Sequence, residues 1–254
     1  MASNLENPHP ETMRVSEAER RTRSDLAALY RLAEHYGWTD LIYNHFSARV
    51  PGEASFLIKR HAALFDEVRA SDLVKLRLDG SDKERSPINP AGFTIHAAVL
   101  NARPDVNYVL HVHTAAGMAV SAIREGLVLV SQEAMQFHRR VSYHDFEGIA
   151  TDLSESDRLA ADLGRDNKAM ILRNHGLLTC GATPAEVLSK MRYLIEACEL
   201  QLALQGTGRE IVVPSAETCE RAAGQMEHYQ KLSDAEEWHA YLRIAERLDP
   251  SFRH

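Results

Sequence analysis

Histidine is the residue type in this sequence with the greatest capacity for chemistry, since the chain contains 13 of them among 254 residues. The segment VLHVHT places His111 and His113 two positions apart in an alternating, β-branched run. Side chains at positions i and i+2 of a strand point to the same face, so these two imidazoles can converge on one point. This spacing is typical of metal ligands, although surface or hydrogen-bonded core histidines would also explain it.

A third histidine could complete a site of this kind. His175 lies in ILRNHGLL, where a glycine marks a break after an apolar strand, and a side chain there can project from the end of a sheet into a cleft. Three neutral imidazoles would leave at least one coordination position open, which a catalytic metal requires and a structural metal does not.

The first half of the chain predicts elements that could position these residues. An amphipathic helix begins after Ser16 and ends near Gly37. Two strand-like runs, LIYNHFSARV and SFLIKR, flank the turn signal PG and indicate a hairpin. A helix begins at Pro90 and stops before Pro104, and the strand VNYVLHVH follows it.

The second half continues the alternation. LVLVS is predicted as a strand, AMILRNHGLLTCG as an apolar strand or hairpin, and a long helix follows the cap Thr183. From Pro214 onward there are two helical patterns and no strand signal. The pattern predicts an α/β protein with a central sheet covered by helices on both faces.

Composition and charge exclude several classes of function. The net charge of −7 comes from 36 acidic against 29 basic residues, and no long basic cluster is present, so no nucleic-acid partner is expected. No apolar run reaches the roughly 18 residues of a membrane span, so no membrane partner is expected either. Three scattered cysteines and an N-terminus without a signal-peptide pattern favour a reducing, cytoplasmic location.

The segment NPAGFTIHAAVLNARPDVNYVLHVHT, followed by a later NHG, resembles the class II aldolase/adducin family. The resemblance extends roughly over residues 16–205 and includes GWTDLIYNHFSARVPG, SQEAMQF and SYHDFEGIA. It implies a three-layer α/β/α fold with a largely antiparallel central sheet, commonly assembled as a homotetramer with sites between subunits. It also implies a divalent metal ion, with zinc expected before manganese, cobalt or iron, held by His111, His113 and His175.

The expected organisation follows from the extent of the resemblance. Residues 1–14 are predicted as a short disordered leader, and residues 15–210 as the aldolase/adducin-like domain. Residues 211–254 are predicted as helices that pack on that domain or on a neighbouring subunit.

Two positions depart from the sugar-phosphate aldolases of the family. Gly92 stands where those enzymes carry a glutamate that acts as acid and base, and the adducin-like branch shares this AGF form. Lys59 and Arg60 occupy a stretch in which family members usually have a phosphate-binding glycine turn. Side-chain cations suit a phosphate, but a guanidinium suits a planar carboxylate at least as well, so these two residues predict a carboxylate-bearing substrate.

Other polar residues are candidates by their position in family-like segments. Asn44 and Ser47 correspond to a substrate-contacting loop, although a hairpin can also use them to satisfy its own backbone. Glu133 could replace the acid/base group absent at position 92, although a surface glutamate would also explain it, and Tyr143 is a candidate proton donor. His96 is expected to form a hydrogen bond within the core.

These observations predict a divalent-metal-dependent lyase that acts on a small oxo-acid or hydroxy-carbonyl substrate. A Lewis-acid metal would stabilise the enolate formed by aldol cleavage or by decarboxylation. Decarboxylation needs no base to start it, which suits a site that lacks the usual glutamate. The alternatives are an adducin-like oligomeric scaffold without catalysis, favoured by Gly92, and an iron-dependent oxygenase on the same fold.

Overall fold

A computed structural model describes residues 15–150, 152 and 154–254. The predicted leader, residues 1–14, lies outside the described residues.

The described residues form seven α-helices and seven β-strands. The helices are α1 (Glu17–His35), α2 (Pro90–Ala102), α3 (Ala115–Ser121), α4 (Gln132–Met135), α5 (Glu155–Leu163), α6 (Pro184–Gln205) and α7 (Ala216–Leu248). The strands are β1 (His45–Arg49), β2 (Ser55–Ile58), β3 (Val74–Arg77), β4 (Tyr108–Val112), β5 (Val141–His144), β6 (Ala169–Leu172) and β7 (Gly176–Gly181). In this part of the chain, none of the helices combines the length and the hydropathy needed to cross a bilayer.

All seven strands belong to one sheet, in the order β3-β2-β1-β4-β7-β6-β5. Every neighbouring pair is antiparallel except β5 and β6, which are parallel. Two separate apolar clusters cover the two faces, one built with α1, α6 and α7 and the other with α2 and α5. The predicted three-layer α/β/α fold with a largely antiparallel sheet is therefore confirmed.

Three details differ from the sequence-based expectation. The two helical patterns after Pro214 form one continuous helix, α7, which packs against α1, α4 and α6 of the same chain. The prediction of a strand at LVLVS was wrong, because this segment is not part of the sheet. The Val128 amide donates to the Gln201 side chain at 2.8 Å, rather than to a neighbouring strand. The segment VSYH, for which no strand was predicted, forms the edge strand β5. The division of the chain near residue 210 stays a prediction.

One buried tyrosine ties the first helix to the strand that leads into the candidate site. The Tyr30 hydroxyl donates to the carbonyl of Phe46 and accepts from the amides of Phe46, at 2.8 Å, and Lys59, at 3.3 Å. It thus occupies the point where the β1–β2 ladder ends, and its ring stacks on Phe46 at 5.0 Å. The side chain is fully buried, so no water can replace these bonds if the hydroxyl is removed.

We expect Tyr30→Phe to lower the free energy of unfolding by about 2 kcal/mol, because it leaves buried backbone groups unpaired while keeping the ring. Urea denaturation at pH 7 measures the change. Tyr229→Phe, at a side chain that is 69% exposed, is the matched control and should change stability by less than about 0.5 kcal/mol. Equal effects of the two substitutions would contradict the anchoring role of the Tyr30 hydroxyl.

Candidate metal centre

Three imidazoles converge at one edge of the central sheet. His111 is in β4, His113 follows the end of that strand, and His175 lies in the turn between β6 and β7. The Nε2 atoms of His111 and His113 are 2.8 Å apart, and those of His113 and His175 are 3.1 Å apart. Within the described residues, this is the one group of at least three potential ligands whose donor atoms all lie within 4.8 Å of one another.

The backbone of the turn that carries His175 lies very close to β4. Asn174 has a φ of +55°, a left-handed conformation that asparagine tolerates better than most residues. At Gly176, a Cβ atom would lie only 2.5 Å from the carbonyl oxygen of Val112 and 3.1 Å from the His113 ring. The glycine of the NHG sequence therefore lets β7 approach β4, and this brings His175 to the other two histidines.

Hydrogen bonds to the far side of two rings decide which nitrogen faces the centre. His111 Nδ1 donates to the Leu177 carbonyl at 3.0 Å, and His113 Nδ1 donates to the Asp40 carboxylate at 3.0 Å. A neutral imidazole has one N–H group, so both Nε2 atoms then carry lone pairs. Two lone pairs that face each other at 2.8 Å repel, and a cation between them would remove that repulsion.

The donor set therefore fits a divalent metal ion. Two nitrogen ligands of a tetrahedral zinc ion, each about 2.0–2.1 Å from the metal, are about 3.4 Å apart, so the two separations of 2.8 and 3.1 Å would need to widen by only a few tenths of an ångström. The Asp40–His113 pair is the carboxylate–histidine arrangement that orients metal ligands and makes them more basic.

Burial keeps two of the three candidate ligands, His111 and His175, in the protonation state that a metal needs. The pKa of His111 is lowered well below its ordinary value of 6.5, first by burial and then by the neighbouring imidazoles. The same two causes lower the pKa of His175 to about 4. Both rings are neutral at pH 7, so a metal ion would not have to displace a proton from them.

A cleft of about 310 Å³ opens in front of the three imidazoles. Asp40, His45, His61 and Asn89 contribute polar groups to its wall, and Tyr43 and Phe146 contribute exposed aromatic rings. Among the described residues that line the cleft, none is a lysine or an arginine.

The predicted substrate-binding residues do not line this cleft. Asn44 is fully buried and donates to the Trp38 carbonyl at 2.7 Å, and Ser47 is fully buried against His96. The Lys59 ammonium group is buried among backbone carbonyls, with Ile42 at 2.8 Å and Ala63 at 2.9 Å. Burial lowers the pKa of Lys59 to about 8. Lys59 holds a loop in place, rather than facing the histidines.

Arg60 is exposed and lines, together with Lys59, a separate pocket of about 340 Å³. The two cations that were expected to bind a substrate carboxylate therefore lie outside the histidine cleft. Their role in substrate binding stays a prediction.

The two predicted acid/base residues also lie away from the cleft wall. Glu133 is half-buried in the first turn of α4. The Tyr143 hydroxyl accepts from the Leu127 amide at 3.0 Å, and the Arg173 guanidinium lies 4.2 Å from its ring centre. Neither side chain is part of the wall formed by this one chain, so their catalytic roles stay predictions.

Two functional residues were missed by the sequence analysis. Asp40 gave no signal, because an acidic residue in the loop GWTDLIY is typical of any surface turn. His45 reaches the cleft through its register, since β1 pairs with β4 and places His45 directly opposite His111. Sequence alone does not give strand order, so this signal was not accessible. The expected core hydrogen bond of His96 is confirmed, at 2.8 Å to His45.

The structure explains why residue 92 is a glycine. A Cβ atom on Gly92 would lie 3.0 to 3.3 Å from three atoms of the His45 ring. The space that a side chain at position 92 would enter is thus already filled by His45.

The buried histidines make the metal-free protein sensitive to acid. Because the pKa of His175 is lowered from 6.5 to about 4, the unfolded chain binds more protons than the folded chain between these values. Above pH 6.5 this group does not reduce the free energy of unfolding. As the pH falls from 6.5 toward 4, it lowers the free energy of unfolding progressively. In EDTA, His175→Gln should reduce the slope of unfolding free energy against pH by about 1.4 kcal/mol per unit near pH 5. Chemical denaturation at pH 7, 6, 5 and 4.5 measures this slope for the wild-type protein and for the variant. Equal slopes would contradict the lowered pKa of His175.

Comparison with known proteins places the chain in a family. Residues 24–202 match the sequence profile described as Class II Aldolase and Adducin N-terminal domain. A Pseudomonas aeruginosa protein with the provisional name of an aldolase class 2 protein is 45% identical over 245 residues, which is 94% of each chain. Mouse alpha-adducin is 43% identical over 197 residues, which cover 76% of this chain but 27% of that longer protein.

Solved structures agree with this placement. An aldolase II superfamily protein from Pseudomonas syringae superposes with a TM-score of 0.88 at 46% identity, covering 95% of this chain and 98% of the other. An L-fuculose 1-phosphate aldolase from Glaciozyma antarctica superposes with a TM-score of 0.81 at 25% identity, covering 97% of each chain. The extent of these matches and the shared fold establish that the chain belongs to the class II aldolase/adducin family.

Proposed function

We propose that this protein is a divalent-metal-dependent carbon–carbon lyase. Its substrate is a small oxo-acid or hydroxy-carbonyl compound, cleaved through an enolate by an aldol or a decarboxylation reaction. The observation that carries the proposal is the convergence of three histidine side chains at the base of an open cleft. The aldolase activity named for the Glaciozyma relative supports the same class of reaction.

The residues that would hold the ion are His111, His113 and His175, and zinc is the expected metal. When bound, the ion would supply Lewis acidity that polarises a substrate carbonyl and stabilises the enolate left after bond cleavage. Leu177 and Asp40 fix the orientation of two of the three rings before any substrate arrives. His111 lies in β4 and His113 directly follows that strand, so the sheet and these two hydrogen bonds pre-organise both rings for the reaction.

The polar wall of the cleft favours recognition of carbonyl and hydroxyl oxygens. His45, His61 and Asn89 offer hydrogen-bonding groups without a formal positive charge. A substrate carboxylate would need a counter-charge from a metal or from another chain. Arg60 is exposed and could serve a neighbouring subunit in this way.

We propose a homotetramer as the working assembly, in keeping with the exposed apolar side chains near the cleft. Leu41 is 66% exposed, Tyr43 50% and Phe146 55%, and the latter two line the cleft itself. Large apolar groups that cluster at the surface are typical of a protein interface. We propose that the protein is cytoplasmic, in keeping with its three free, buried cysteines.

Gly92 and the mouse alpha-adducin relative favour a second candidate function, a non-catalytic oligomeric scaffold. The scaffold and the lyase differ in their need for a metal, because a scaffold does not require three converging imidazoles. Metal content therefore separates the two proposals.

We expect about one zinc ion per chain in protein purified without chelator, measured by elemental analysis. The double variant His111→Ala, His175→Ala should bind none and should lose carbon–carbon cleavage of a panel of oxo-acids and hydroxy-aldehydes. His228→Ala, at an exposed position in α7, is the matched control and should keep the ion. Absence of metal in the wild-type protein even after reconstitution would favour the scaffold, and iron with oxygen consumption would favour an oxygenase.

We expect Asp40→Asn to weaken zinc binding about 10- to 100-fold, because an amide orients His113 less firmly and makes it less basic than a carboxylate does. Competition with a fluorescent zinc chelator measures the affinity. Asp66→Asn, an exposed aspartate elsewhere in the chain, is the control. Equal affinity in the two variants would show that Asp40 does not support the metal site.

A further inference from the structure

Three buried side chains form a continuous hydrogen-bonded chain that ends at the histidine cleft. Ser47 Oγ contacts His96 Nδ1, and His96 Nε2 lies 2.8 Å from His45 Nδ1. Ser47 and His96 are fully buried, and His45 is 4% exposed. The chain of contacts runs from β1 to α2 and back to β1, where His45 lines the cleft.

The direction of the protons along this chain follows from the Ser47 hydroxyl. Among the described residues, its hydrogen-bond partner is His96 Nδ1, and the hydroxyl is inaccessible to water. If His96 donated to Ser47, the hydroxyl proton would be buried without an acceptor, which costs about 1–3 kcal/mol. The hydroxyl therefore donates to His96 Nδ1, and the proton of His96 is on Nε2.

The same logic fixes the proton of His45. Since His96 Nε2–H donates to His45 Nδ1, a neutral His45 must carry its own proton on Nε2. Burial lowers the pKa of His96 to about 3, so this ring is neutral at pH 7. His45 Nδ1 can accept the bond from His96 only while it carries no proton, which leaves the single proton of the His45 ring on Nε2. A protonated Nε2 has no lone pair and cannot bind a metal ion.

His45 Nε2 is the atom of this chain of contacts that is left without a partner in the described part of the protein. The His45 ring lies 5.0 Å from that of His111, and its atoms fill the space in front of Gly92. The resemblance implies that the related sugar-phosphate aldolases carry a glutamate at position 92. Here the same region contains a neutral N–H group.

We infer that His45 Nε2–H is a hydrogen-bond donor to a substrate oxygen beside the metal centre, and that Ser47 and His96 are positioning residues that hold His45 in this tautomer. The inference rests on the proposed function. A fixed donor at this place stabilises negative charge as it develops on the substrate oxygen, without transferring a proton. It also accounts for the glycine at position 92, because a Cβ atom there would press on the His45 ring at 3.0 to 3.3 Å and shift the donor.

The tautomer can be measured without a substrate. Long-range ¹H–¹⁵N spectra of the metal-free protein at pH 7 should show His45 with a protonated Nε2 and an unprotonated Nδ1. Ser47→Ala should convert this signal into a mixture of tautomers, because His96 is then free to turn its proton toward either neighbour. A His45 that is protonated on Nδ1 in the wild-type protein would overturn the inference.

The donor role can be measured with oxalate, a planar dianion that resembles the enolate of a 2-oxo-acid. In zinc-loaded protein, His45→Ala should keep one zinc per chain and weaken oxalate binding by about tenfold or more, the loss expected for a hydrogen bond to a charged group. His45→Gln, which retains an N–H donor, should recover part of the affinity and provides a variant of similar size if His45→Ala does not fold. His228→Ala is the control. Loss of zinc in His45→Ala would make His45 a ligand, and unchanged oxalate affinity would remove its donor role.

A double-mutant cycle tests the link with position 92. Gly92→Ala should also weaken oxalate binding because its methyl group displaces the His45 ring, and it should add no further loss in a His45→Ala background. Independent, additive losses would overturn the link. Failure of the proposed function would have a different signature, namely a wild-type protein that binds neither zinc nor oxalate while the His45 tautomer remains as inferred.

Discussion

The pairing of β4 with its two neighbours is the constraint on which the rest of the site depends. The β1–β4 register places His45 opposite His111, and the β4–β7 register places Leu177 where its carbonyl can accept from His111. Because side chains alternate along a strand, a slip by one residue would turn His111 to the other face of the sheet. The geometry of three imidazoles is thus a consequence of backbone hydrogen bonding. His113 directly follows β4 and His175 lies in the short turn between β6 and β7, so the same ladders also hold these two side chains.

Burial gives these histidines their chemistry and also makes them costly. Neutral rings in an apolar environment must find a partner for each ring nitrogen, or lose stability. His111 uses a backbone carbonyl, His113 uses Asp40, and His96 uses Ser47 and His45. Each of these bonds also selects a tautomer. The partners that stabilise the fold therefore decide which nitrogens can accept a metal ion and which can donate to a substrate.

The glycine at position 92, where the resemblance to the sugar-phosphate aldolases implies a glutamate, changes the character of the cleft. A carboxylate next to a metal would bring negative charge and a base. The His45 ring brings neither, since its free polar group in the inferred tautomer is the Nε2–H donor. A cleft of this composition suits a reaction that begins by stabilising negative charge on the substrate, rather than by removing a proton. Decarboxylation and retro-aldol cleavage of a substrate that needs little base assistance have this requirement in common.

Local patterns determined much of this protein. The capped helices and the alternation of elements predicted the α/β layers, because these depend on short-range periodicity. The spacing of His111 and His113 and the glycine after His175 marked the three histidines as candidate ligands, a set that the family resemblance also implied. The continuity of α7 and the absence of a strand at LVLVS were decided by packing against α6, where a side chain of that helix takes the bond that a strand would have offered. Strand order likewise remained beyond the sequence. Only the tertiary structure brings Asp40 to His113 and sets His45 against Gly92 and His96, because these pairs are separated by 47 to 73 positions and meet through the register of the sheet. The sequence by itself determined which side chains could do chemistry. The folded backbone decided which of their atoms face the cleft, since hydrogen-bond partners that are distant along the chain fix each ring.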